Sequence, residues 1–466
     1  MPDRVRLGIA AVAHMALCGV AHARPAQDDD VLALAIRAND VAGVQVALAQ
    51  GSDPNERLAF GATPLTWAVN TQNPVMVETL LAKGATPNTA DTDGVTPLSL
   101  ACELGDASIL AQLLDARADV RAGRPDGATP LAICARYGPA DAVARMLGAG
   151  AVADMPDSRG QTPLMWAAAS GRIEVMTLLL KAGADANRVS KGSFTPLFFA
   201  IKSGVVPATD MLLAAGAKTD YRGPEGTSAA QLAVYHNNYG AAALIVARGA
   251  DLAERGRTGE QLLHAAAAGG DTALVSLLLA RGADPNGLTG PSRITWVTEA
   301  NFGRPPPPVP PTPPLLMAAA SGHMAAMKLL LAAGADPRFV AADGTNVVLA
   351  GAQGGSAATL DFALSLSPDA NVSNADGMTP LHILVGGGVR PELEAMMRIL
   401  AAHGARADIK SKFGATAAQM ADDGLTEVKF IFRTVFPSGP SATLADAGEK
   451  PAMPSRPATP QAVPDN

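Results

Sequence analysis

The sequence predicts an all-α solenoid of about twelve stacked repeats, with short β-hairpin fingers between the repeats. Glycines recur every 33 residues along most of the chain, and several stand two residues before a Thr-Pro-Leu triplet. Of the 466 residues, 48% are apolar but only 4% are aromatic. A core built mainly from alanine and leucine suits short, closely packed helices better than it suits a sheet.

The unit that begins at residue 160 gives each part of the repeat a physical interpretation. Thr162 can cap a first helix with its hydroxyl, and Pro163 fits the first helical position because an amide there would have no partner. Gly171 ends this helix, and a second helix follows with apolar residues on one stripe. Gly183 can adopt a positive φ and end the second helix, after which an extended finger turns at the next glycine.

Twelve units follow one another in this frame. They start near residues 28, 61, 94, 127, 160, 193, 226, 259, 311, 344, 377 and 414. The first and the last lack the Thr-Pro-Leu triplet, as expected for repeats that cap a stack. Arg117 and Ser367 replace the glycine after the second helix, at a cost of about 1 kcal/mol if the backbone there stays left-handed.

The 33-residue period and the segment Gly377-Met-Thr-Pro-Leu-His382 resemble the ankyrin repeat, whose signature is Thr-Pro-Leu-His-x-Ala. The resemblance covers about residues 28–436 and is specifically to exported ankyrin-repeat proteins of bacteria. It implies stacked helical pairs but indicates almost nothing about function. Because ankyrin arrays serve unrelated tasks, it does not identify the partner.

An N-terminal leader predicts export. Two arginines precede an apolar run, and Ala21-His-Ala23 supplies the small residues that a signal peptidase recognises. We expect cleavage after Ala23 and a periplasmic or secreted location. A lipid anchor on Cys18 is the weaker alternative, because Leu17 stands where a small residue is needed.

The predicted organisation has five segments. Residues 1–23 are the signal peptide, residues 24–286 hold about eight repeats, and residues 287–310 are a proline-rich insertion loop. Residues 311–436 hold about four repeats, of which the last is degenerate, and residues 437–466 form a disordered proline-rich tail.

Candidate partner-binding residues lie at the ends of the first helices, which the resemblance places along a concave groove. These ends vary from unit to unit, and they carry residue types enriched at binding hot spots. The candidates are Arg136, Tyr137, Lys202, Tyr235 and His236. Basic finger residues would extend this surface and steer an acidic partner towards it. The alternative is an ordinary solvated surface.

A second candidate surface is the insertion, with Trp296, Phe302 and Arg304 on a long loop. Its alternative is a passive spacer. Trp67 and Trp166 share a slot that other units fill with leucine or isoleucine, which favours packing over recognition.

Cys102 and Cys134 lie in the first helices of adjacent units. They would form a disulfide if their Cα atoms lay within about 7 Å. The alternative is two buried thiols in alanine-sized slots.

Several functions are disfavoured. The net charge of −7 and the absence of a Lys/Arg run argue against nucleic-acid binding. Asp-Gly pairs recur in frame as turns and lack calcium-loop spacing. No catalytic motif or metal-ligand spacing of histidines occurs, and no later apolar run would span a membrane. We therefore expect no catalytic residues, no cofactor, no metal and no membrane insertion after leader removal.

These observations predict a monomeric, non-catalytic protein-binding scaffold in the cell envelope, whose protein partner is unknown. A secreted effector or toxin-like protein that acts on another cell is one alternative. An accessory subunit of a periplasmic enzyme is another.

Overall fold

The computed structural model describes residues 31–292 and 310–437, and within these residues the protein is all-helical, as predicted. The α-helices of the described residues follow one another as pairs. Their bounds are α1 (Val31–Arg37), α2 (Val41–Ala49), α3 (Pro64–Asn70), α4 (Pro74–Ala82), α5 (Pro97–Leu104), α6 (Ala107–Asp115), α7 (Pro130–Tyr137), α8 (Ala140–Gly148), α9 (Pro163–Ala169), α10 (Ile173–Lys181), α11 (Pro196–Ser203), α12 (Val206–Ala214), α13 (Ala229–Tyr235), α14 (Tyr239–Ala247), α15 (Leu262–Gly269), α16 (Thr272–Ala280), α17 (Pro314–Ala320), α18 (Met324–Ala332), α19 (Val347–Gln353), α20 (Ala357–Leu366), α21 (Pro380–Gly386), α22 (Leu393–Ala402), α23 (Ala417–Asp423) and α24 (Thr426–Val435).

The first helices begin at the caps that the repeat predicts. Thr162 has an extended backbone, and its hydroxyl accepts a hydrogen bond from the Met165 amide at 3.4 Å. In α5 the cap is reciprocal, because the Thr96 hydroxyl accepts from the Ser99 amide while the Ser99 hydroxyl accepts from the Thr96 amide. A proline at the first helical position follows both threonines and fixes φ for the helix.

The two positions that lack glycine after a second helix differ in backbone conformation. Arg117 has φ 59°, so it adopts the left-handed conformation that glycine adopts at Gly183, with φ 87°. Ser367 instead has an extended backbone, with φ −142°. The conformational cost expected at both positions therefore applies to Arg117 alone.

The fingers are turns, and the predicted β-hairpins do not appear as strands in residues 31–292 or 310–437. In these residues the β pairing consists of two isolated antiparallel bridges, Arg222 with Ser228 and Lys410 with Thr416. In a typical finger the Asp91 amide donates to the Val95 carbonyl at 3.1 Å, which closes the turn after a single rung. So short a ladder cannot build a strand.

A backbone hydrogen bond joins neighbouring fingers. The Ser158 amide donates to the Asp126 carbonyl at 2.7 Å, and the Lys191 amide donates to the Arg159 carbonyl at 2.9 Å. Fingertips from successive repeats are thus held side by side.

The described chain falls into two compact units. The first runs from α1 to Ala318 and includes Ala325–Asp336, and the second comprises Ala319–Met324 and the described residues from Pro337 onward. In the first unit α5 packs on α7, α7 on α9 and α9 on α11, while the second helices α12, α14 and α16 form a parallel series of contacts. In the second unit α19 packs on α21, α21 on α23, α20 on α22 and α22 on α24.

The core between neighbouring pairs is made of small and aliphatic side chains. In α9 the side chains of Leu164, Ala167 and Ala168 are fully buried. Since alanine lets the next backbone approach closely, adjacent first helices can pack tightly. Each pair therefore buries apolar surface both between its own two helices and against the neighbouring pairs.

An asparagine links many of the successive repeats, in a contact that we name the asparagine clip. The Asn187 side-chain amide donates to the Gly216 carbonyl at 3.0 Å, and its oxygen accepts from the Lys218 amide at 2.8 Å. Asn55 makes the equivalent pair of bonds in the first unit and Asn371 makes them in the second. Each clip attaches a finger base to the end of the next second helix.

The insertion leaves this register intact. Asn286 makes the same clip to the Gly334 carbonyl at 2.9 Å and the Asp336 amide at 2.8 Å, although these partners lie 48 and 50 residues away in sequence. At the neck of the insertion the Thr289 amide donates to the Thr312 carbonyl at 3.1 Å, and the Thr312 amide donates to the Thr289 hydroxyl at 3.0 Å. The described residues on the two sides of the insertion are therefore joined as in the other repeats.

Candidate functional site

The C-terminal end of α7 presents an arginine between two aromatic rings. The Arg136 guanidinium carbon lies 5.0 Å from the ring centroid of Tyr137 and 5.5 Å from that of Trp166 on the neighbouring α9. The Arg159 guanidinium approaches the same Trp166 ring, at 6.0 Å. Such cation–π contacts hold both cations over the indole.

An aromatic cluster continues the surface on α11. The Lys202 ammonium lies 5.5 Å from the Phe194 ring centroid. Phe194 in turn contacts Phe198 at 6.2 Å and Phe199 at 6.0 Å between ring centroids. Phe199 occupies in α11 the slot that Trp166 occupies in α9, so the aromatic row passes from one repeat to the next.

The end of α13 carries the last cation–aromatic contact of this row. The Arg257 guanidinium lies 5.5 Å from the Tyr235 ring, and the Arg257 amide donates to the Tyr235 hydroxyl at 2.9 Å. The pKa of His236 is lowered, first by partial burial and then by the positive charge of Lys202. His236 is therefore neutral at pH 7, and Lys202 lies within electrostatic reach of it.

We name this surface the cation–aromatic strip. It comprises Arg136, Tyr137, Arg159, Trp166, Phe194, Phe199, Lys202, Tyr235, His236 and Arg257. Its residues come from α7, α9, α11, α13 and the turns beside them, all in the first unit. All five residues predicted for the groove belong to it.

The strip also contains residues that the sequence prediction assigned to packing. Trp166 is partly exposed, and two arginines cover its ring. Trp67 is likewise covered by Arg37, at 4.4 Å. In both cases the arginine precedes the tryptophan by 30 residues, since the end of one first helix lies beside the ring slot of the next. This spacing of arginine and tryptophan is the feature of the sequence that could have indicated the cation–π contact.

The centre of the strip carries positive charge without acidic partners. Arg136 and Lys202 are exposed, and neither side chain forms an ion pair with any residue that the structure describes. Arg159 reaches only Asp157, at 3.6 Å, and Asp157 is already bound by the Arg159 and Gln161 amides of its own turn. By contrast, Arg124 at the edge is tightly paired with Glu103, at 2.6 Å.

A covalent link lies beneath this surface. The structure joins Cys102 of α5 to Cys134 of α7, with the sulfur atoms 2.22 Å apart and the Cα atoms 4.6 Å apart. Both side chains are fully buried. The Cα separation meets the geometric requirement for a bridge, so α5 and α7 are held together directly below Arg136.

Two surface cavities have linings that contain no residue of the strip. One of about 540 Å³ is lined by Arg222, Glu254, Arg255 and Pro291, and its Arg222 and Glu254 form an ion pair. The other, of about 460 Å³, contains Arg117, Arg121 and Arg145. Neither set of lining residues includes a nucleophile beside a general base.

The sequence also led to predictions about metal ligands, membrane spans and the insertion. Within these residues no cluster of three or more metal-ligating side chains occurs, and none of the helices has the length and apolar character needed to cross a membrane. Trp296, Phe302 and Arg304 of the insertion lie outside the described residues, as do the predicted leader, residues 1–23, and residues 438–466.

Comparison with known proteins identifies the repeat. A family model described as ankyrin repeats, three copies, matches residues 32–124 and 101–190. A second model, for the single ankyrin repeat, matches residues 258–289 and 313–341. No curated protein matches the chain.

Proposed function

We propose, from the premise that the chain carries ankyrin repeats, that it is a non-catalytic scaffold that binds another protein through the cation–aromatic strip. Arginine, tyrosine and tryptophan are the residue types that dominate binding hot spots. Here they lie together on successive repeats. Because the helices beneath are tightly packed, little ordering entropy opposes association.

One observation carries the proposal: Arg136 is exposed and makes cation–π contacts with two rings but has no carboxylate partner among the described residues. An arginine that only stabilised the fold would gain from a nearby acid, as Arg124 does from Glu103. The guanidinium carries five N–H donors, which can bind a carboxylate of a ligand.

The repeat assignment extends, in this proposal, to all twelve helix pairs, stacked as a solenoid in a monomer. The shared left-handed glycine and the asparagine clips in both units support this extension. The leader and the Cys102–Cys134 bridge support a cell-envelope location, since such bridges persist in oxidising compartments.

The test is crosslinking and pull-down of the mature protein from its own periplasm. We expect Arg136→Ala/Tyr137→Ala/Lys202→Ala/Tyr235→Ala to lose the specific partner that the wild type captures. A Lys181→Ala/Lys218→Ala variant, which removes two exposed cations outside the strip, is expected to keep it. Circular dichroism establishes that each variant is folded. Recovery of every specific partner at unchanged yield by the strip variant would show that the strip does not bind it.

A further inference from the structure

We infer that the ligand of the cation–aromatic strip is an acidic protein segment bound in an extended conformation, with carboxylates placed to meet Arg136 and Lys202. This inference rests on the proposed function and adds the chemistry of the partner. The charge of the strip, the spacing of its cations and the rings between them each support it.

The charge is specific to the centre of the strip. In the last turns of the first helices α7, α9 and α11, equivalent positions hold Arg136, Ala169 and Lys202, and none of them is acidic. The chain as a whole is acidic, with a net charge of −7. A local positive surface therefore favours acidic partners over basic ones.

The spacing sets the length of the ligand. Arg136 ends α7 and Lys202 lies in the last turn of α11, with α9 packed between them. Because packed helices lie about 8–10 Å apart, the two cations are about 16–20 Å apart. An extended chain rises about 3.3 Å per residue, so the two carboxylates would be about five to six residues apart in the ligand.

The aromatic rings between the two cations indicate which residues of the ligand lie between its two carboxylates. Trp166 and Phe199 occupy equivalent slots of α9 and α11 and are both partly exposed. They offer apolar contact to the central residues of a segment whose ends are held by the cations. A ligand with acidic ends and an apolar or aromatic centre fits this order.

A polyanion such as a nucleic acid fits less well. The fingertips beside the strip carry Asp126 and Asp157, and Asp157 is fixed in place by two turn amides. Asp157 is buried and paired with Arg159, but the exposed Asp126 would repel a ligand that carries a charge on every residue, whereas a segment with two separated acids avoids it.

The experiment is a selection of random twelve-residue peptides displayed on phage against the full-length mature protein. We expect enrichment of peptides with Asp or Glu about five to six residues apart around an apolar centre. Enrichment of neutral or basic peptides, or of no peptide, would overturn the inference. Binding of single-stranded oligo(dT) as tight as that of the best peptide would also overturn it.

Variants identify the cations involved. We expect Arg136→Gln and Lys202→Gln each to weaken binding of a selected peptide about fivefold, whereas Lys181→Gln leaves binding unchanged. The expected loss on raising salt from about 50 to about 300 mM is smaller in the two strip variants. If these variants bind the peptide normally, the inference is wrong. A periplasmic partner captured through the strip would still support the proposed function in that case.

Discussion

Arg117 adopts a backbone conformation that glycine adopts at the equivalent positions of other repeats. Its φ of 59° matches the left-handed region occupied by Gly84, Gly183 and Gly216. At these three glycines an added Cβ would meet no atom within 4 Å. The cost at Arg117 is therefore conformational and not a steric clash with neighbours.

We expect Arg117→Gly to raise the free energy of unfolding by about 1 kcal/mol, because glycine adopts this conformation freely. Urea denaturation measures the change. Ser367→Gly is the matched control, since the extended backbone of Ser367 needs no glycine. There the added freedom of the unfolded chain should lower stability by about 0.5 kcal/mol. Equal effects at the two sites would contradict the explanation.

His264 anchors the neck of the insertion with a neutral imidazole. Its Nε2 lies 2.9 Å from the Gly287 carbonyl and 3.1 Å from the Thr312 carbonyl, while Nδ1 accepts from the Gln261 amide at 3.3 Å. This set of partners requires the proton on Nε2. Burial lowers the pKa of His264 to about 4, although the carbonyl contacts oppose the change.

Because the folded pKa lies below the ordinary value of 6.5, the unfolded chain takes up the proton first as the pH falls. The contribution of His264 is complete above pH 6.5 and is lost progressively down to about pH 4, by on the order of 3 kcal/mol. We expect His264→Gln to show a smaller loss of stability than the wild type over this range, in urea titrations at several pH values. Parallel losses in the two proteins would refute this assignment.

At the scale of helices, the Cys102–Cys134 bridge ties α5 to α7 across a sequence separation of 32 residues. Closing a loop of this length restricts the unfolded chain and is worth about 3–4 kcal/mol. We expect Cys102→Ala/Cys134→Ala to lose stability of this order by urea denaturation. Because both sulfur atoms are buried, alkylation after reduction should label the cysteines only in denaturant. Free thiols in the unreduced, denatured protein would show that the bridge is absent.

The sequence anticipated elements whose geometry depends on one repeat alone. The Thr162 cap and the left-handed Gly183 follow from local backbone chemistry, and both were predicted correctly. The fingers were predicted as hairpins from an extended segment that turns at the next glycine, but in the described residues the turn closes before a ladder can form. The stacking of Arg136 on Trp166 depends on how two repeats superpose, and one repeat read alone does not contain that information.

At the scale of the whole molecule, each helix pair depends on its neighbours for burial. In the first unit α1 packs on α2 and α3, no other described helix packs extensively on it, and Val31 and Leu34 are about half exposed. We expect amide exchange, followed by mass spectrometry, to show protection that increases from α1 towards α9. Protection of α1 equal to that of α9 would instead indicate one indivisible core.

A second prediction at this scale concerns the insertion. The clip from Asn286 and the neck between Thr289 and Thr312 lie outside residues 293–309. Replacing these residues by a Gly/Ser linker of about six residues should change the free energy of unfolding by no more than about 0.5 kcal/mol. A loss of several kcal/mol would mean that the inserted residues contribute to the core. The binding of selected peptides to this variant tests separately whether the insertion contributes to recognition.

The asparagine clip has a consequence for how such a chain can change over time. Asn187 and Asn286 bond to the backbone carbonyl and amide of the next repeat, and Asn55 adds a bond from the Thr86 hydroxyl to the same pair. The joint therefore tolerates almost any sequence in the adjoining module. Repeats can be duplicated, exchanged or redesigned as cassettes, and residues such as Arg136 and Lys202 are then free to diversify with the partner.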